Sequence, residues 1–153
     1  MEAIGEFTVA TDKDDLPKHL EFILDVVERH ARNSFVLKGW SVTLVAAVFL
    51  LAVRGADPAL AMAAGLLPSL TFWALDAYYL RQERMFRALY NHVRKAEPSP
   101  DNRFSLDARS FAGAVPSWSR TLGATPVLWF HAAVLAVVVV ALAFFSLRPP
   151  DAP

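Results

Sequence analysis

The chain has 153 residues and no net charge, and 55% of it is hydrophobic, against a usual share of about 45–50%. It contains no cysteine, which excludes disulfides, thiolate metal centres and lipidation through cysteine. The length suits one domain of ordinary size, but the apolar residues gather in three blocks, Phe35–Val53, Pro58–Tyr79 and Pro126–Leu147.

A bilayer core about 30 Å thick needs roughly 20 helical residues, and each block is long enough. The expected fold is an all-α membrane protein with an amphipathic N-terminal helix and three transmembrane helices, the second span extended into a cytoplasmic helix. Residues 1–15 show no useful periodicity and read as a mobile arm. Residues 16–147 read as a single helical membrane domain and 148–153 as a tail. The first block is not expected to be a signal peptide, because residues 1–34 before it are mostly polar and no small-residue cleavage site follows.

From Leu16 onward, Leu20, Ile23, Leu24 and Val27 recur at helical spacing, so a helix with one apolar stripe is predicted over about 16–33. Asp14 and Asp15 precede it, and Pro17 falls in its first turn, where a missing N–H costs little. The first span follows over 35–53. "RGADP" leaves room only for a tight reversal, so spans one and two form an antiparallel hairpin. Pro68 lies inside the second span, 58–79, and removes the bond to the Ala64 carbonyl. A small-residue face is legible on each helix: Gly39, Thr43 and Ala47 on the first, Ala61, Gly65 and Ser69 on the second.

Beyond Tyr79, Phe86, Leu89 and Val93 continue the helical spacing, and Glu83 and Arg87 are placed as an i,i+4 pair. A cytoplasmic helix is therefore expected over about 80–95. "EPSPDN" breaks it with two prolines. Residues 96–125 read as an irregular connection with short helical pieces, in which Trp118 and Arg120 anchor the interface before the third span, 126–147.

The charges segregate. Residues 1–34 carry eight acids against Lys13, Lys18, Arg29 and Arg32, whereas 80–124 carry eight bases, among them Arg81, Arg84, Arg87, Arg94, Arg103 and Arg109, against four acids. The bias of Lys and Arg sets orientation, so the N terminus is expected in the cytoplasm and the C terminus outside the bacterial inner membrane. The two cytoplasmic helices, opposite in charge excess and each with an apolar stripe, should pack together. Their stripes (Leu20, Ile23, Leu24, Val27; Phe86, Leu89, Val93) offer surplus apolar surface that should bury against other protomers of a homo-oligomer. The basic residues are candidates for contact with a ligand or partner, though a positive-inside loop accounts for them more economically.

Counting rises from the span centres puts Asp76 about 12 Å, Lys38 about 9 Å and His131 about 7 Å to the cytoplasmic side of mid-bilayer. Ionisable groups at such depth are paired or line water. One reading is an intramembrane polar layer in which Asp76 pairs with Lys38, as a structural clasp or as part of a proton-responsive conduit. The other leaves Lys38 snorkelling to the headgroups and Asp76 in the wet interface. Nothing points to an enzyme: there is no phosphate-binding glycine loop, no HExxH, no elbow serine and no cluster of metal ligands, and no cofactor is expected.

The stretches "KHLEFI" (18–23), "NSFVLKGW" (33–40), "FWALDAYYLRQERMFRALY" (72–90) and "FSLDARSF…VPSWSRT" (104–121) together resemble an uncharacterised family of small bacterial inner-membrane proteins, some encoded near antiphage systems. The design is also similar to two-span membrane effectors of nucleotide-signalling defence, from which a third span departs. The resemblance implies an oligomeric membrane effector or channel, triggered by a soluble defence partner or a nucleotide or oligonucleotide signal. It implies no catalytic residues and no reading of duplex DNA. The alternatives are a scaffolding subunit that recruits a soluble partner through 80–124, or a transport accessory protein.

Overall fold

The computed structural model describes residues 3–55, 57–95 and 104–147. The described residues are helical and irregular, with no strand among them. In chain order they form α1 (Ala3–Val53), α2 (Pro58–Val93), a single 3-10 turn (Arg109–Phe111), α3 (Trp118–Leu122) and α4 (Thr125–Ser146). Two of these are long and apolar enough to cross a membrane, α1 within Asp15–Val53 and α4 within Thr125–Phe144.

The helix over 16–33 and the first block are one continuous element. It also takes in the residues from Ala3 that were expected as an arm. Propagating a helix costs little once it is nucleated, and Pro17, now inside the helix, keeps a helical φ while forfeiting one hydrogen bond. α1 ends at the predicted reversal. The N–H groups of Arg54 and Gly55 donate to the Leu51 and Ala52 carbonyls, and Gly55 turns the chain at φ 83°, a value that favours glycine. Asp57 then starts α2, its Oδ1 accepting the Leu60 N–H at 3.0 Å. α2 runs unbroken through the Pro58–Tyr79 block to Val93, where the N–H groups of Arg94 and Lys95 close the last turn on Tyr90 and His92.

The chain divides into two units, and both long helices contribute to each. One unit comprises the chain up to Arg32 together with Tyr79–Ser117. Its core is Ile23, Met85, Leu89 and Ala108, against which Phe86, Tyr90, Val93, Phe111, Ala112 and Val115 pack. The predicted pairing of the two helices is thus present, but it is apolar rather than ionic, and the connection at 104–117 covers it. That connection is tied down by His19 Nε2, 2.9 Å from the Ser105 carbonyl oxygen, and by Arg81, which donates to the Ala112 and Pro116 carbonyls. Phe104 holds a left-handed φ of 57°, unusual for a bulky residue, with its ring against those of His19 and Phe22.

The second unit comprises Asn33–Tyr78 with the chain from Trp118 onward. Ala61, Val138 and Leu142 form its apolar centre, with Val45 and Leu66 beside them. Gly65 lets α2 approach α4: a Cβ there would sit 3.1 Å from Val138 Cγ1 and 3.4 Å from Val48 Cγ1. Ala61, Gly65 and Ser69 are all buried, so the second small-residue face packs as expected. The first does not, because Gly39, Thr43 and Ala47 are exposed.

Candidate functional site

The second unit brings Lys38, Asp76 and His131 together from α1, α2 and α4. The Asp76 side chain is fully buried. Lys38 Nζ lies 2.8 Å from its Oδ1 and 2.6 Å from its Oδ2, and His131 Nε2 lies 3.0 Å from Oδ2. Ser34, one helical turn before Lys38, completes the set. Its hydroxyl donates to Asp76 Oδ1 and accepts from Lys38 Nζ at 2.9 Å. One carboxylate therefore takes donors from all three remaining members of the group. A carboxylate only accepts, so the imidazole hydrogen facing it sits on Nε2. Carboxylate and ammonium cancel, and with a neutral imidazole the cluster carries no net charge, the condition under which a group can be stripped of water.

Aromatic rings frame the cluster. Trp73 stacks on His131 at 6.1 Å with 8° between the planes, Phe130 meets it edge-on at 5.0 Å, and Lys38 Nζ lies 5.9 Å from the Phe130 centroid. His131 Nδ1 is buried and has no partner among the described residues. Two indoles bind α3 to α2 reciprocally, Trp73 Nε1 donating to the Leu122 carbonyl and Trp118 Nε1 to the Ala74 carbonyl, each at 3.1 Å. No group of three His, Asp or Glu residues able to hold a metal ion occurs among the described residues.

The residues expected to pack protomers together lie mostly inside the first unit. Ile23, Val27 and Leu89 are buried, Leu20, Phe86 and Val93 are partly buried, and Leu24 alone of the set stays exposed, at 42%. The reason is the 104–117 segment: Ala108, Phe111, Ala112 and Val115 supply the cover that two short helices lacked on paper. Within this unit His30 stacks on Phe86 at 5.5 Å and leans on Tyr79 at 5.9 Å, and its Nδ1 is buried without a hydrogen-bond partner among the described residues. Burial holds its pKa below the ordinary 6.5. Arg29 pushes the same way and Glu83 opposes.

The basic candidates separate. Arg81 is committed to the connecting segment, Arg87 to Glu83 at 2.8 Å, and Arg103 lies outside the described residues. Arg94 and Arg109 are exposed and Arg84 partly so. Compared with protein-family models, with curated proteins and with solved structures, the chain finds no match in any of the three.

Proposed function

We propose that the chain is a three-span integral protein of the bacterial inner membrane, N terminus cytoplasmic and C terminus outside, and that it acts as an oligomeric gated effector or channel of the antiphage kind its motifs resemble. The observation that carries the membrane reading is the large apolar surface that the second unit exposes around a partly polar interior. Its buried set includes Ser41, Ser69, Asp76, Thr121 and His131, whereas Val42, Phe49, Leu50, Leu60, Leu67, Leu70, Val137, Val140 and Phe144 are exposed. Water would penalise that arrangement and hydrocarbon favours it. Leu60, Leu67 (67% exposed) and Leu70 lie on Pro58–Tyr79, which is the argument for counting that segment as a third span. Tyr78, two residues beyond Asp76 and so about 15 Å to the cytoplasmic side of mid-bilayer, is exposed, as an aromatic anchor at that interface would be.

The gating part of the reading rests on the buried cluster. An ion pair that is costly to strip of either partner is suited to holding a resting state. Outward of it the spans are apolar, so conduction would require a hydrophobic constriction to open. A second reading, a scaffold that recruits a soluble partner through 80–124, is favoured by exposed Arg94 and Arg109. The tests are separable. A reporter fused after Pro153 should behave as exported, and cytoplasmic activity there would overturn the three-span topology. Proteoliposomes holding the oligomer should pass ions when a nucleotide trigger is added. Silence under every trigger would hand the function to the scaffold reading.

A further inference from the structure

We propose that the cluster around Asp76 is a proton-operated exchange site, in which a proton taken up at His131 Nδ1 makes the imidazolium the counter-ion of Asp76 and releases Lys38. The proposal deepens the gating reading above and rests on it, naming the ligand that loosens the ion pair. Both basic partners converge on one oxygen: Lys38 Nζ lies 2.6 Å and His131 Nε2 3.0 Å from Asp76 Oδ2. One carboxylate balances one positive charge, and a surplus charge is costly in a site stripped of water. With the imidazole neutral, Lys38 is the counter-ion and His131 serves as a hydrogen-bond donor. The Nε2 hydrogen faces the carboxylate, so Nδ1 carries a lone pair. His131 is 1% exposed, and this nitrogen has no hydrogen-bond partner among the described residues. A buried acceptor without a donor is costly, and a proton fits it without any rearrangement of the ring.

Burial decides which partner gives way. A proton at Nδ1 turns a neutral group of one carboxylate, one ammonium and one imidazole into one carrying a single positive charge. Neutrality returns only when a cation leaves. Asp76 and His131 are sealed in, whereas the Lys38 side chain is 22% exposed. Its four-carbon stem lets the ammonium swing toward water while the apolar part stays packed. What remains is an imidazolium–carboxylate pair, with the Ser34 hydroxyl still donating to Oδ1. The net charge is the same as at the start, but the ionic tie of α2 has passed from α1 to α4. Trp73 lies parallel to the imidazole at 6.1 Å, at the edge of the range in which an aromatic face favours a cation. The other ionisable groups on the surrounding elements are few. Within 33–53 α1 has only Lys38, within 58–78 α2 has only Asp76 and the exposed Tyr78, and α4 has only His131. α3 carries Arg120, which is exposed, and the exposed Arg54 and Asp57 stand at the reversal, at the far ends of α1 and α2.

Nitrogen NMR of the full-length protein in detergent, with its histidines labelled, reads the proton. The His131 ring resonances, identified by their loss in His131→Gln, should pass from singly to doubly protonated imidazole as pH falls within the range where helical content is unchanged. Lys38→Met should bind that proton at least tenfold more tightly, Asp76→Asn at least tenfold more weakly, and Lys38→Arg as the parent does. Thermal unfolding reads the exchange. The Tm loss that Lys38→Met causes above the His131 midpoint should shrink by at least half below it, and should persist at both pH values in a His131→Gln background. A His131 ring that stays singly protonated throughout would overturn the proposal, and the unaltered chain decides this even where a variant fails to fold. A midpoint indifferent to Lys38, or a Lys38→Met loss of equal size on both sides of it, would overturn it equally. An exchange that occurs while proteoliposomes stay silent would end the channel reading and leave the exchange site standing. Ion flux with a His131 that never titrates would do the reverse.

Discussion

Lys38 and Asp76 offer the most direct quantitative test. Replacing Lys38 with Met strands a carboxylate whose side chain is 0% exposed. Losing one partner of a buried pair costs about 3–5 kcal/mol when nothing compensates. Here the Ser34 hydroxyl and His131 still donate to the carboxylate, so a loss of about 2–3 kcal/mol is expected for Lys38→Met. Asp76→Asn strands an ammonium whose side chain is 22% exposed and can reach toward the headgroups, so about 2 kcal/mol is expected there. The double variant removes the pair and leaves no lone charge. It should cost about 2 kcal/mol instead of the additive 4–5, a coupling of about 2–3 kcal/mol. At about 2–4 °C per kcal/mol for a chain of this size, each single change should lower Tm by about 4–12 °C and the double change by no more than the worse single. Thermal unfolding followed by circular dichroism in one detergent reads all four species. Additive losses would refute the reasoning, since they would mean that the two groups do not act on each other.

The two small-residue faces should respond with opposite signs. Gly65→Leu drives a side chain into Val138 and Val48 and should cost about 1–3 kcal/mol, whereas Gly39→Ala meets nothing within 4 Å and should gain about 0.5–1 kcal/mol in thermal unfolding. His30 should make stability fall on the acid side. Burial lowers its pKa in the folded chain, so its contribution is complete above the ordinary 6.5 and is lost as pH falls from there through the lower folded-state value. His30→Phe should flatten that part of the profile, and an unchanged acid limb would refute the assignment.

The meeting of Lys38, Asp76 and His131 was legible from counting, because a fixed rise per residue from the centres of the three apolar blocks puts them level. Ser34 was missed although its signal was present, one turn before Lys38 on the same face. The role of 104–117 was missed for a physical reason. Ala108, Phe111, Ala112 and Val115 do repeat at three-four spacing, but over only about two turns and beside Ser110, Gly113 and Pro116, where periodicity has little weight. Without that cover the stripes on 16–33 and 80–95 read as surface awaiting another protomer. Changing Phe86 and Leu89 to Asp would disrupt the unit's own core and so could not report on assembly. The direction of the Gly39 face was not legible either, because small residues are compatible with both a close helix contact and a lipid-facing surface.

The Asp76 cluster has a consequence for biogenesis, because its members are synthesised far apart in time. Lys38 leaves the ribosome 38 residues before Asp76, and His131 follows 55 residues after it. On the proposed three-span topology, Lys38 and Ser34 would already be in place to receive the acid when α2 follows α1 into the bilayer, so Asp76 would enter as a neutralised group and not as a bare anion. The third partner, His131, arrives only with α4. On that topology insertion would be ordered by chemistry as well as by hydropathy: a hairpin can be held with two donors on the carboxylate, and arrival of the last helix would complete its set.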